Sequence, residues 1–289
     1  MVKIDPDQVT EFMREVGQRV IMPRWRNLRD GEVSTKTGPE DYVTIADREA
    51  EVELSRMLAG ILPGSLVVGE EAVAADPALM GALQSDRPVW IIDPVDGTRP
   101  FTQGDETFGI IIALTLGDDI LAGWIHHPLT GDTLVTEKGS GAFFGGARVH
   151  VRDKTDFAAM AGILGMRLRM PVDEMPGQGP GPQFVRRSFV SCQIYPAMLT
   201  GEPLFGLPVE PQYHFRATGS YSRPWDDAAG VLALREGGGE VIDWTGALYR
   251  PSMFDNGTIA ANNLESALLL RDWLMPAYRA ARDKKRNSA

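Results

Sequence analysis

Apolar residues recur at helical spacing from the start of the chain. Asp5-Pro6 offers a cap and a first-turn proline, and Val9, Phe12, Met13, Val16 and Val20 follow on one face, which predicts a helix running until Pro23. Residues 24–41 are polar and punctuated by Gly31, Gly38 and Pro39, so this stretch reads as a mobile or hairpin-like loop. Ala46, Ala50, Leu54, Met57, Leu58 and Ile61 then form the apolar stripe of a second helix, which stops before Pro63-Gly64 and carries Glu and Arg on its other face.

The period changes after that. Short apolar runs at 66–68, 89–92, 108–116, 120–125 and 133–136 read as strands, and Gly117-Asp118-Asp119 and Thr130-Gly131-Asp132 suit the tight reversals of a meandering sheet. Residues 171–183 are dominated by proline and glycine and read as an irregular surface crossing. Trp225-Asp226-Asp227 opens another apolar helix, with Ala228, Val231, Leu232 and Leu234, which closes at Gly237-Gly238-Gly239 before a strand at 240–242. A last helix from Leu264 to about Ala281 runs into Arg282-Asp283-Lys284-Lys285-Arg286, a solvated basic end favoured by the helix dipole. There is no internal repeat. The pattern divides the chain into residues 1–150, an α+β half, and residues 151–289, a second α/β half.

Composition narrows the class. With 289 residues, 43% hydrophobic and 24% charged, the chain can bury a sizeable core, and neither disorder nor a fibrous repeat fits. A balance of 29 basic against 39 acidic residues is the wrong sign for phosphate-backbone binding, so nucleic acid is not an expected partner. The first twenty residues lack an apolar core, and the longest apolar run, Gly109–Leu116, is too short to span a bilayer. Cys192 is the single cysteine, which rules out an intrachain disulfide and a cysteine zinc site; a cytoplasmic protein is expected. No histidine pair has metal-ligand spacing, and nothing beside Cys192 would lower its pKa, so it reads as a small buried residue rather than a nucleophile.

The densest chemical signal is Trp90-Ile91-Ile92-Asp93-Pro94-Val95-Asp96-Gly97-Thr98. An apolar strand delivers Asp93 and Asp96 into a turn stiffened by Pro94 and freed by Gly97, where two carboxylates and the Val95 carbonyl can converge on a hard cation. The same spacing also suits two turn aspartates capping a helix. Glu70 and Glu71 end an apolar strand, Asp47 sits in the first turn of the second helix, and Asp226 and Asp227 open a later one. Each alone is equally a salt-bridged loop acid or a dipole-compensating one. Gathered together, such acids would repel one another without cations.

The motifs V-x-x-A-D (43–47), G-E-E (69–71), W-I-I-D-P-V-D-G-T (90–98) and P-W-D-D-A-A-G (224–230) resemble, in order and spacing, those of the inositol monophosphatase family of Mg²⁺-dependent, lithium-sensitive phosphomonoesterases. The resemblance runs from about residue 35 to residue 262 and is strongest up to 150 and from 224 on. It implies an α+β fold, a layered α/β/α/β/α sandwich like that of fructose-1,6-bisphosphatase, forming a homodimer. It further implies hydrolysis of a small phosphorylated metabolite with two or three Mg²⁺ per subunit. On that pattern Glu70, Asp93 and the Val95 carbonyl hold one Mg²⁺, and Asp93, Asp96 and Asp226 a second. A third would lie near Glu70. Thr98 and Asp47 orient the attacking water, with Glu70 beside them, and the backbone N–H groups of Gly97 and Thr98 meet phosphate oxygens. Lys36 resembles the family's loop lysine. Asp96, Arg187, Ser191 and Cys192 fall where the leaving alcohol is bound.

Some positions depart from the pattern. Val190 replaces a small glycine in the segment that lines the alcohol pocket, Gly219 stands where inositol-cleaving relatives carry a hydroxyl-binding acid, and Pro100 follows Arg99 after the D-G-T turn. They leave ester hydrolysis intact and open the choice of alcohol, so inositol-1-phosphate, histidinol phosphate and a 3′(2′),5′-bisphosphate nucleotide all remain candidates. An aspartyl-phosphate mechanism would need D-x-D where this chain has D-x-x-D. A non-enzymatic role as the acidic partner of a basic protein is the remaining alternative.

Overall fold

The computed structural model describes residues 3–36, 38, 42–152, 157–165, 168, 181–185, 190–201, 213–219, 222–253 and 256–286. Helix α1 (Pro6–Val16) is capped by Asp5, whose Oδ1 accepts the Asp7 N–H at 3.0 Å. It stops short of the expected Pro23. Gly17–Ile21 winds as a wider π-turn, which the Met22 N–H closes on the Gly17 carbonyl, while Gln18 Nε2 donates to Pro128 O at 2.8 Å. The following loop does contain a hairpin, β1 (Val33–Thr35) pairing antiparallel with β2 (Tyr42–Thr44). Helix α2 (Ile45–Ile61) begins in a capping box in which Asp47 Oδ2 accepts the Thr44 N–H at 2.8 Å.

A seven-stranded sheet follows in chain order: β3 (Leu66–Gly69), β4 (Pro88–Asp96), β5 (Gly109–Leu116), β6 (Asp119–His126), β7 (Thr133–Glu137), β8 (Gly141–Phe144) and β9 (Ala147–Val149). Only β3 and β4 are parallel, joined through the short α3 (Glu70–Ala75) and a 3₁₀ stretch, Pro77–Gln84; the others form a meander. Helix α4 (Thr98–Thr102) sits between β4 and β5. A second, five-stranded sheet is built from β10 (Met160–Leu164), β11 (Gln183–Val185), β12 (Tyr213–Ala217), β13 (Glu240–Ile242) and β14 (Ile259–Ala261), in the order β11-β10-β12-β14-β13. Helices α5 (Ser191–Thr200) and α6 (Pro224–Glu236) precede and follow β12. Helix α7 (Leu264–Arg286) carries the basic end as helix. Of the expected irregular crossing, residues 171–180 lie outside the described residues, and Gln183 already belongs to β11.

Side-chain alternation stacks these elements. Along β4 and β5, Trp90, Ile92, Ile110 and Ile112 point to a core shared with Val9 and Met13 of α1 and Leu54 of α2. Their neighbours Val89, Ile91, Ile111 and Ala113 point the other way, into a core with Cys192, Tyr195, Ala228 and Val231 of α5 and α6. The second sheet repeats the arrangement: Ile163 and Ala260 face α5 and α6, whereas Leu164, Ile259 and Ala261 face Leu270 and Leu274 of α7. The result is an α/β/α/β/α sandwich, an α+β fold whose central helices are buried on both sides.

Helices α5 and α6 approach closely at Gly230, where a Cβ would fall 2.1 Å from Tyr195 Cδ2. Gly230→Ala is therefore expected to lower stability by about 1–3 kcal/mol through overpacking, measured by denaturant unfolding of the metal-free protein. Unchanged stability would mean that the two helices slide freely there.

Candidate metal-dependent active site

Asp93, Asp96 and Asp226 each bring a carboxylate oxygen within 4.8 Å of the others. A bulge produces half of that convergence. Asp93 pairs with Ile111 and Asp96 with Gly109, so three steps along β4 oppose two along β5. Residues three apart on a regular strand face opposite ways, and the extra residue turns both carboxylates to one side. Pro94, which has no N–H, falls within the bulge, and Val95 N–H turns back to Asp93 Oδ1 at 3.1 Å. Asp226 arrives from the other half, in the first turn of α6 behind Pro224.

Burial and repulsion from neighbouring acids raise the pKa of all three carboxylates. Burial raises the pKa of Asp93, and the charges of Glu70, Asp96, Asp226 and Asp47 raise it further. Burial likewise raises Asp226, reinforced by Asp96 and Asp227. Asp96 rises to about 6 for the same first reason, although the Cys192 N–H donates to its Oδ2 at 2.5 Å.

Glu70 lies beside this cluster, at the start of α3. Glu51 of α2 accepts the N–H groups of Glu71 and Ala72 at 2.7 and 2.8 Å and so caps α3 from outside. Gly69 leaves the room for it, since a Cβ there would fall 2.3 Å from Glu51 Cδ. Lys36 Nζ donates to Glu70 Oε1 at 2.6 Å and to Glu71 Oε1 at 2.9 Å. The loop lysine thus sits at the site. Burial would lower its pKa, and the two glutamates overcome that and raise it. Burial pushes Glu71 up to about 7 although Lys36 pulls the other way.

Thr98 Oγ1 lies 2.8 Å from Asp47 Oδ1 and 3.1 Å from the Val95 carbonyl. Its single proton can serve one of them at a time. Asp47 is buried, and burial raises it to about 6 against the hydrogen bonds from Thr44 and Thr98. Gly97, at φ 92°, starts the turn in a left-handed conformation, and a Cβ would fall 2.6 Å from the Thr107 carbonyl.

On the far side, Ser191 and Cys192 open α5, both buried, and burial raises the Cys192 thiol well above its ordinary value. His127 Nε2 is 2.7 Å from the Cys192 carbonyl. Val190 reaches over Gly97, its Cγ1 3.0 Å from where a Cβ would stand. Arg187 lies outside the described residues. Sequence reasoning passed over Glu51, Tyr195 and Arg216, and read Glu71 and Asp227 only as acids at the ends of elements. Glu51 carried a signal, since it follows Asp47 by one helical turn and shares its face; the pairing of Arg216 with Asp227 across elements carried none.

All the donors at the cluster are oxygens, and no described base pairs with the three converging carboxylates. That fits a hard divalent cation such as Mg²⁺. Fold and site together define a class: layered α+β proteins that gather carboxylates from separate elements. The chain belongs to the inositol monophosphatase family, whose sequence model matches residues 5–175. It is 29% identical to a fructose-1,6-bisphosphatase/inositol-1-monophosphatase of Thermotoga maritima over 86% of this chain and 90% of that one. Identity is 32% to an inositol-1-monophosphatase of Mesorhizobium japonicum, over 82% and 85%. A Vibrio cholerae relative named Nus factor SuhB is 26% identical over 80% and 81%. The solved inositol monophosphatase of Thermotoga maritima superposes with a TM-score of 0.72 at 25% identity, covering 96% of this chain and 98% of that one. The chain is thus a member of a family of Mg²⁺-dependent phosphomonoesterases.

A cation that needs ionised ligands must displace the protons that burial holds on them. Mg²⁺ binding at pH 6 is expected to release protons and to tighten as pH rises through about 6, the value for Asp96. Calorimetry in buffers of differing ionisation enthalpy measures the release. Binding with no proton release at pH 6 would contradict the raised pKa values.

Proposed function

We propose that the protein hydrolyses a small phosphate monoester by direct attack of water, with two Mg²⁺ held by Glu70, Asp93, the Val95 carbonyl, Asp96 and Asp226, and a third near Glu70. The observation that carries this reading is the convergence of Asp93, Asp96 and Asp226 within 4.8 Å beside the Thr98–Asp47 pair. Bound there, divalent cations supply Lewis-acid polarisation of the phosphoryl group and make water acidic enough to attack near neutral pH.

The chain's own groups do the orienting. With its proton committed to Asp47, Thr98 Oγ1 offers a lone pair to one proton of the attacking water, and Asp47 holds the hydroxyl in that rotamer. The N–H groups of Gly97 and Thr98 donate to phosphate oxygens at the turn. Asp96, Ser191 and Cys192 border the leaving alcohol, with Arg187 expected from the same segment. A covalent phosphoenzyme plays no part.

An inositol phosphate is the first substrate reading, from the family. Histidinol phosphate and a 3′(2′),5′-bisphosphate nucleotide are the alternatives, opened by Val190 beside Gly97 and by Gly219 in place of a hydroxyl-binding acid. A screen of these esters and a sugar bisphosphate with Mg²⁺ separates them. Release of phosphate from none of a broad panel would leave the partner-protein reading. Lithium inhibition, a homodimer and a cytoplasmic setting belong to the same proposal and are supported by the family. No described helix is long and apolar enough to cross a membrane.

Asp93→Asn is expected to reduce Mg²⁺-dependent phosphate release to the metal-free background. Its thermal unfolding temperature without metal should not fall, because Asn still accepts the Val95 N–H and carries no charge into a repelling cluster. Retained turnover would remove Asp93 from the mechanism.

A further inference from the structure

Asp227 follows Asp226 in the first turn of α6, and as a sequence it looks like a second helix-opening acid. The structure gives it a different place. Its side chain is completely buried and accepts from three side chains of three separate segments: Tyr195 Oη of α5 at 2.9 Å, Arg216 Nη1 of β12, and Ser222 Oγ from the loop before α6. Arg216 is nearly as enclosed, with 11% of its side chain exposed, and its Nη1 also lies 3.3 Å from Tyr195 Oη. Tyr195 in turn is wedged against Gly230, so the donors cannot drift away from α6.

This places a permanent cation close to a crevice of acids. The charge of Arg216 acts on both Asp226 and Asp96, favouring their ionised forms. Asp227 is the acid that this arginine pairs with on α6, and Asp226 is the next acid along the same helix. A guanidinium seated on Asp226 would occupy the oxygens that a divalent cation needs and would add a like charge next to it.

We propose that Asp227 is a positioning residue: it serves as the dedicated counter-anion of Arg216, holding the guanidinium off Asp226 and leaving that carboxylate open to the metal. The inference rests on the reading of Asp93, Asp96 and Asp226 as a cation site. Tyr195 and Ser222 satisfy the remaining acceptor capacity of Asp227 and fix its rotamer, and the paired charges cancel, so the crevice keeps its net negative field.

The signature of this role is that the importance of Asp227 depends on Arg216. Three variants test it: Asp227→Asn, Arg216→Met and the double variant, with Mg²⁺ alone titrated by calorimetry and with unfolding of each metal-free protein as a control. Asp227→Asn releases the guanidinium toward Asp226 and is expected to weaken Mg²⁺ binding by about 10–100-fold. Arg216→Met should lose stability without losing Mg²⁺ affinity, and the double variant should bind Mg²⁺ as Arg216→Met does. A merely structural role predicts the reverse order, with the double variant binding no better than Asp227→Asn, and that result overturns the proposal. Should Asp227→Asn fail to fold, comparing the double variant with Arg216→Met decides: any large further loss on removing Asp227 when no arginine is present overturns it. Wild-type protein that binds no Mg²⁺ would remove the metal-site reading itself and this proposal with it. Mg²⁺ binding left intact in Asp227→Asn would remove this proposal alone.

Discussion

The repulsion among Asp93, Asp96 and Asp226 is the constraint around which the molecule is built. Three carboxylates within 4.8 Å of one another would, if all ionised, cost about 3 kcal/mol per pair at an effective dielectric of about 20. Against a net stability of about 5–15 kcal/mol for an ordinary domain, that is a large opposing term. It is relieved either by protons, as the raised pKa values indicate, or by a divalent cation. Protons and a cation would thus compete for the same oxygens.

Holding such groups together requires rigid elements on both sides. β4 is the second strand of the seven-stranded sheet, paired on both edges up to Ile92, with its residues alternating between two apolar cores, so the strand that leads into the bulge at Asp93–Asp96 is held firmly. α6 is buried between the two sheets, and nearly every residue on it is enclosed. The Asp226 carboxylate belongs to a helix that cannot retreat. Glu51 does the equivalent for α3, taking the place of a local cap and setting where Glu70 begins. Site and core are therefore the same structure viewed at two depths.

Much of this was legible in the sequence, and the reasons differ by element. The stripe from Ala46 to Ile61 and the runs around Val89 and Gly109 carry their period openly, because one or both faces are apolar. α1 was expected to reach Pro23, but the contact of Gln18 with Pro128, distant in sequence, accompanies a π-turn that no local pattern announces. Three-residue strands such as β9 and β14 are too short for a period to register, and they lack the Gly237-Gly238-Gly239 run that marks β13. Asp93 and Asp96 were legible as a pair because proline and glycine mark their turn. That they face the same way depends on register with β5, which a single strand does not encode. Arg216 and Asp227 were invisible for a similar reason: each looks ordinary until β12 and α6 are laid side by side.

The two halves solve one electrostatic problem with different geometry. Each supplies an acid from the family's ligand pattern followed at once by a second acid, Glu70-Glu71 and Asp226-Asp227, and each pair has its own cation. In the first half Lys36 binds both members, including Glu70 itself. In the second, Arg216 hydrogen-bonds the non-ligand Asp227. A cation arriving at Glu70 would therefore compete with a lysine for one of its oxygens, while Asp93, Asp96 and Asp226 form no ion pair with a described base and two of them accept backbone N–H groups, from Val95 and Cys192. On the proposed reading, the asymmetry makes the cation position at Glu70 the one that Lys36 opposes.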